Sequence, residues 1–281
     1  MGVLDEITGW PVHQAAAGIT TATGPVEVAG DGSWRVRIAS VSKILIGYAS
    51  LIALEDGSLQ LDQPAGPPGS TVRHLLAHAS GLPFNGPKPL VRPGRRRIYS
   101  NTGIEALGET LAAATGMTNA DYLREGVFEP LGMADSELRG SPAWGVRSNV
   151  DDLLRFGREL LAPTLVDPTT LAEAVTVQFP GLPGIVPGMG RYDDNPWGLS
   201  FEIKGAKSPH WTAPEGSPRT FGHFGGSGTF LWVDPDAALC CVALTDREFG
   251  DWAPPLWSTL SSHVLSSLAR GDARQRRQND G

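Results

Sequence analysis

The chain has 281 residues, 41% hydrophobic and 19% charged, enough for one large domain or two modest ones around a real core. A net charge of −7 argues against nucleic acid or an anionic membrane surface as the main partner, and no uninterrupted apolar run reaches membrane-spanning length. The start "MGVLDEITGW" has neither the basic nor the apolar region of a secretory signal. The only two cysteines, Cys240 and Cys241, sit together in an apolar run, as buried strand residues do. A reducing, cytoplasmic home is therefore expected, provided Met1 is the natural start.

In chain order, "AAAGITTATGPVEVAG" predicts two strands around a Thr-Gly-Pro turn. "RIASVSKILIGYASLIALEDG" then predicts a helix whose apolar residues lie on all sides, so it is buried on most faces, with Asp56-Gly57 at its end. "TVRHLLAHASGLP" reads as a short helix stopped by Gly81 and Pro83. "NTGIEALGETLAAATG" is an amphipathic helix closed by Gly116, and "NADYLREGVF" and "SNVDDLLRFGRELL" are two more. The Pro/Gly-rich "FPGLPGIVPGMGRYDDNP" predicts a long surface excursion. Strand pattern returns at "WGLSFEIKG" and "TFGHFGGSGTFLWVDPDAALCCVALTD", where Asp234-Pro235-Asp236 turns one apolar strand into the next. "PPLWSTLSSHVLSSLAR" is a closing helix, and the tail "GDARQRRQNDG" is polar enough to be disordered. The expected class is α+β: an antiparallel sheet flanked by helices, built from residues 1–58 and 195–270. A helical insertion spans 59–194, and a tail spans 271–281.

Three short motifs carry chemistry. Ser40-Val41-Ser42-Lys43 is an S-x-x-K at a helix start, with Ser40 one turn before Lys43 on the same side. Tyr99-Ser100-Asn101 precedes a second helix, and His223-Phe224-Gly225 lies on a strand leading into a hairpin. Each has a bland alternative. Ser40 alone reads as an N-cap and Lys43 as a lysine snorkelling out of its helix. Tyr99 alone is a core aromatic, Asn101 an N-cap, and His223 an ordinary strand histidine. The cluster Arg95, Arg96, Arg97 reads as a solvated loop, against an anion-selective rim. His74 and His78 have zinc-ligand spacing, but without an H-E-x-x-H glutamate or third ligand they read as structural. No G-x-S-x-G occurs, so an α/β-hydrolase elbow is not supported.

Taken together in order, spacing and context, the three motifs resemble those of the serine β-lactamase and penicillin-binding superfamily. The likeness is to its branch of class C β-lactamases, D-Ala-D-Ala carboxypeptidases and family VIII carboxylesterases. "LLAHASGLP" and "VFEPLGM" agree with the same resemblance, which spans about residues 34 to 245. It implies a β-lactamase/transpeptidase-like fold and an acyl-serine hydrolase, with an active-site cleft between sheet and helices. The chain is short for this family, which implies a trimmed helical part and a more open cleft.

Chemically, Ser40 would be the nucleophile and Lys43, desolvated by its apolar helix, the base that takes its proton. The resemblance implies that Tyr99 passes a proton to the leaving group. The N–H groups of Ser40 and Gly226 are the candidate oxyanion donors, and Asn101, His223 and Gly225 the candidate substrate-binding residues. The glycines at 225, 226 and 228 would let substrate lie against the strand. Relatives commonly carry lysine where His223 stands and a small hydroxyl residue where Phe224 stands. Strand alternation turns Phe224 away from His223, into core packing. The expected activity is hydrolysis of small esters or amides without metal or cofactor, on a small-molecule partner. The alternatives are a β-lactamase or D,D-peptidase, and a catalytically silent binding protein on the same scaffold.

Overall fold

The computed structural model describes residues 2–279, with side chains described through Ser267. After a short 3-10 helix at Val3–Gly9, strands β1 (Ala15–Thr21) and β2 (Gly24–Ala29) form a hairpin, followed by the short β3 (Val36–Arg37). Helix α1 (Ser42–Glu55) leads through α2 (Val72–Leu76) to α3 (Asn101–Thr115) and α4 (Asn119–Leu123). Strands β4 (Glu137–Leu138) and β5 (Val146–Ser148) precede α5 (Val150–Leu161) and α6 (Pro168–Ala174). A small hairpin, β6 (Gly184–Val186) and β7 (Gly190–Tyr192), comes next. The chain closes with β8 (Glu202–Ile203), β9 (Phe221–Gly225), β10 (Thr229–Asp234), β11 (Leu239–Thr245) and α7 (Ala253–Asn279). Among the described residues no helix is long and apolar enough to cross a membrane.

The main sheet has the order β2-β1-β11-β10-β9-β8, and every neighbouring pair is antiparallel. Both chain ends therefore build it, with β1 seated directly against β11. The β10–β11 turn is held by Asp234, whose carboxylate accepts the N–H groups of Asp236 and Ala237 at 3.0 Å each. Strand alternation sorts the side chains into two cores. Cys240, Val242 and Leu244 face α1 and α5, while Cys241 and Ala243 face Trp257, Leu260 and Val264 of α7. The adjacent cysteines are thus free thiols on opposite faces of one buried strand, and burial raises both above the usual thiol range. Close approach of α5 to the sheet explains two glycines. A Cβ on Gly18 would meet Leu154 at 2.7 Å, and one on Gly157 would meet the Cys240 sulfur at 2.5 Å.

Several elements differ from the sequence expectation. Helix α2 stops at Leu76, well before Gly81, because His78 adopts a left-handed φ of 52°. Its buried Nδ1 accepts the Ser100 N–H at 3.2 Å. The surface excursion contains the β6–β7 hairpin, and α6 starts at Pro168 behind an Asp167 cap. Ser100, not Asn101, caps α3: its hydroxyl accepts the Gly103 N–H at 2.8 Å. The backbone of α7 runs to Asn279, through most of the segment expected as a tail; residues 280–281 lie outside the described ones. Arg97 is no part of a solvated loop. It is 2% exposed and its guanidinium donates to the carbonyls of Ala77, Gln178, Phe179 and Asn195 at 2.6–3.1 Å. Arg95 and Arg96 remain exposed.

Candidate active site

Ser40 sits in a tight turn, Ala39–Val41, immediately before α1, and not on the helix itself. Ala39 takes a left-handed φ of 46°, a conformation that costs a Cβ-bearing residue roughly 1–2 kcal/mol. The β9–β10 hairpin holds this turn in place. Thr229 donates to the Ile38 carbonyl at 2.9 Å and Ser227 to the Arg37 carbonyl at 2.7 Å. Gly225 lies so close that an added Cβ would stand 2.3 Å from the Ile38 oxygen. Its missing side chain therefore admits the Ser40 turn and not a ligand. Gly226, one residue on, has open space at its Cβ position and lines the pocket beside Ser40.

Lys43 is fully buried, and its Nζ lies 3.1 Å from Ser40 Oγ, 2.8 Å from Asn101 Oδ1 and 2.7 Å from the Ala143 carbonyl. Among the described residues no carboxylate comes within ion-pairing distance of it. Burial pulls its pKa down to about 7, with only a distant Glu105 acting the other way. That value makes the neutral amine accessible. A neutral amine has two N–H donors, and the Asn101 and Ala143 oxygens can only accept. They take both, which leaves the nitrogen lone pair for the Ser40 hydroxyl. The arrangement can therefore draw a proton from Ser40.

Tyr99 packs its ring 4.8 Å beneath the Lys43 ammonium. Burial raises its phenol well above the usual range, with a contact to the Ser40 hydroxyl as a smaller opposing effect. Its ring is boxed in by His78 at 4.9 Å, His223 at 5.5 Å, Phe84 at 5.8 Å and Trp197 at 6.0 Å. A phenol held neutral can relay a proton but is a poor resident base, so Lys43 is the better acceptor of the two.

His223 is 2% exposed and lines the same pocket. Its Nδ1 lies 2.6 Å from the Phe224 carbonyl, which can only accept, so Nδ1 carries the proton and Nε2 presents a lone pair. That Nε2 has no hydrogen-bond partner among the described residues. Burial and the charge of Lys43 lower its pKa to about 3, so it is neutral across ordinary pH. Phe224 packs between Phe249 at 4.8 Å and Trp211 at 5.6 Å, in the core on the α7 side, with one edge on the pocket.

The pocket over Ser40 measures about 240 Å³. It brings together Ser40, Tyr99, His223 and Gly226, with Lys43 and Asn101 one layer beneath. Sequence reasoning did not include Ala143, whose contribution is a backbone carbonyl and so leaves no side-chain signal. It also passed over Trp197, Phe249 and Glu202, which complete the walls. Glu202 was visible as an acid inside an apolar strand pattern. It is 1% exposed, with Lys207 at 2.7 Å and the Trp211 indole N–H at 2.8 Å. Burial alone would raise its carboxyl, but Lys207 and His210 outweigh that and hold it below the usual range. His74 and His78 are spent elsewhere: His74 Nδ1 meets Thr71 at 2.9 Å, and His78 serves the Ser100 N–H.

Comparison with known proteins adds a family to this geometry. The family model described as Beta-lactamase matches residues 1–261. The crystal structure of a beta-lactamase from Mycobacterium bovis is 49% identical and superposes with a TM-score of 0.94, over 95% of this chain and 99% of that one. A Beta-lactamase of Pseudomonas fluorescens is 23% identical across 75% of this chain and 79% of its own length. The D-alanyl-D-alanine-carboxypeptidase/endopeptidase AmpH of Escherichia coli is 27% identical over 144 residues, a match that spans 38% of this chain and 37% of AmpH.

Proposed function

The chain belongs to the Beta-lactamase family and is a serine hydrolase, and from that premise we propose that it cleaves small neutral esters through an acyl-Ser40 intermediate. The observation that carries this reading is the Lys43 amine, buried without a carboxylate and 3.1 Å from the Ser40 hydroxyl. Ser40 Oγ attacks the ester carbonyl carbon while its proton passes to neutral Lys43. The resulting oxyanion is met by the N–H groups of Ser40 and Gly226. Collapse breaks the bond to the leaving oxygen, which takes a proton through Tyr99, and Lys43 restores the phenol. Water then attacks the acyl-enzyme by the same steps, releasing the acid and regenerating Ser40. Asn101 and the Ala143 carbonyl keep Lys43 aimed.

Neutral esters are favoured by the pocket walls. None of the pocket-lining residues is a lysine or arginine, His223 is uncharged, and the charged side chain that does line it is the anion Glu202. A carboxylate-bearing substrate finds no cation there. A second reading, β-lactam hydrolysis, is supported by the name of the 49% identical Mycobacterium bovis structure. One experiment tests both: mass spectrometry after incubation with a fluorophosphonate and, separately, a penicillin, together with turnover of p-nitrophenyl butyrate and a chromogenic cephalosporin. Labelling at Ser40 with faster ester turnover is expected. Faster cephalosporin turnover would replace the ester reading with the second, and no label on Ser40 would sink both.

A further inference from the structure

We propose that the apolar cleft beside the pocket seats the alcohol portion of the substrate, so that the substrates are esters of extended aliphatic alcohols; this rests on the Ser40 esterase reading. The cleft measures about 450 Å³ and is walled by Phe84, Leu90, Ile98, Tyr99, Ile185 and Pro187. It adjoins the Ser40 pocket, since Phe84, Tyr99 and Pro187 line both. Six large apolar side chains are exposed among the described residues, and three of them meet here: Phe84 at 49%, Leu90 at 65% and Ile185 at 53%. They come from two separate segments: the loop between α2 and α3, which supplies Phe84 and Leu90, and the β6–β7 hairpin, which supplies Ile185. Converging apolar surface left open to water marks a binding groove. Arg96 and Arg97 stand at its border, but the Arg97 guanidinium is consumed by backbone carbonyls.

The side of the scissile bond follows from which catalytic groups border the cleft. Tyr99, which hands the proton to the leaving oxygen, forms part of its wall. Ser40, Gly226 and Asn101, which would attend the acyl half, do not. In the proposed pose a chain running from the leaving oxygen passes Tyr99 into the cleft.

Fully burying one methylene is worth about a fourfold gain in binding. Four added methylenes, each about half buried in an open cleft, then give on the order of a tenfold gain in kcat/KM, carried by KM because the contact is the same in ground and transition states. The test compares methyl, butyl and octyl acetate by acetate release, beside p-nitrophenyl acetate, butyrate and octanoate. Octyl acetate is expected to exceed butyl acetate by about tenfold, with no such rise along the acyl series. Leu90→Asp and Ile185→Asp should each shrink the octyl-to-methyl ratio several-fold within the same variant, a readout that cancels any loss of folded protein. Ester turnover with a flat alcohol series, or a rise along the acyl series instead, overturns this proposal and leaves the esterase reading standing. Absence of ester turnover together with an unlabelled Ser40 overturns that reading itself.

Discussion

Two lysines in this protein are equally hidden and oppositely treated. Lys43 at the start of α1 and Lys207 in the loop after β8 are both withdrawn from water. Burial pulls both amines down from the usual lysine range, but of the two only Lys207 has a carboxylate within ion-pairing distance to resist it, Glu202 at 2.7 Å. Its further partners, Asn195 at 3.1 Å and the Pro196 carbonyl at 3.4 Å, complete a closed structural pair. Lys43 instead faces two neutral oxygens and a serine hydroxyl. An amine left without a counter-charge can lose its proton near neutrality, while a paired one is held in place as a cation. Equal burial separates into chemistry in one region and architecture in the other.

Exchanging residues at the two places is the most direct way to break this contrast. Ser40→Ala is expected to have the largest effect, loss of about 10⁴-fold or more in kcat with a melting temperature close to that of the parent. Ser42→Ala, two residues away, should do the reverse. The Ser42 hydroxyl accepts the Val146 N–H at 3.0 Å in a fully buried position, so its removal should cost about 1–3 kcal/mol of stability while most turnover survives. If the two variants behave alike in the assay, Ser40 is not the nucleophile. Lys43→Met should lower kcat by on the order of 10²-fold or more without destabilising the fold, since it removes a desolvated amine. Lys207→Met should destabilise by about 3–5 kcal/mol, because it strands the buried Glu202 charge. Urea melts of the pair decide it: a Lys43→Met variant as unstable as Lys207→Met would show that both lysines are architectural.

What was legible in the sequence follows the same division. The strands of the two chain ends and the buried α1 could be read because apolar periodicity is a local property, whereas Ser40, Lys43 and Tyr99 were singled out together through the resemblance their motifs carry. Phe224 could be placed in the core from alternation alone. The pairing of Lys207 with Glu202 could not, since it depends on how the loop after β8 folds back. The Ala143 carbonyl opposite Lys43 is 100 residues away in sequence and carries no side-chain signature. Arg97 misled for a related reason. Three consecutive arginines look like one solvated patch, but only the third turns inward to satisfy orphan carbonyls. Gly225 and Gly226 both read as room for substrate against the strand, and only the distance to Ile38 tells them apart in that respect.

A pH series sharpens the contrast without any substitution. The proposed base is neutral Lys43, so kcat/KM should rise with pH and level off above an apparent pKa of about 7. The linked effect on stability has the same sign. The unfolded chain keeps the Lys43 proton to above pH 10, whereas the folded one releases it at about 7. Between those values the unfolded state binds more protons, so this group's contribution makes stability rise with pH across that window. Lys43→Met should flatten the slope there. Glu202 acts at the other end: its lowered carboxyl contributes stability that is present above the ordinary glutamate range and lost as pH falls through it. A stability slope between pH 7 and 10 that persists unchanged in Lys43→Met would assign it to another group.

The smallest expected effect concerns His223, and it discriminates between two titrating groups near one hydroxyl. An inflection near pH 7 in a serine hydrolase invites assignment to histidine, whose ordinary pKa is about 6.5. Here burial and Lys43 hold His223 at about 3, and its Nδ1 proton is committed to the Phe224 carbonyl. His223 is therefore a neutral lone-pair donor to whatever occupies the pocket, and it does not change charge in the assay range. His223→Asn removes the ring and its Nε2 lone pair but no charge. It should lower kcat/KM for p-nitrophenyl butyrate by only a few-fold, the scale of one neutral hydrogen bond at about 1 kcal/mol. The inflection near 7 should stay where it is. Had His223 been the titrating base, the same substitution would erase that inflection and cost on the order of 10²-fold or more. A pH profile of the His223→Asn variant with no inflection near neutrality would transfer the role of base from Lys43 to His223.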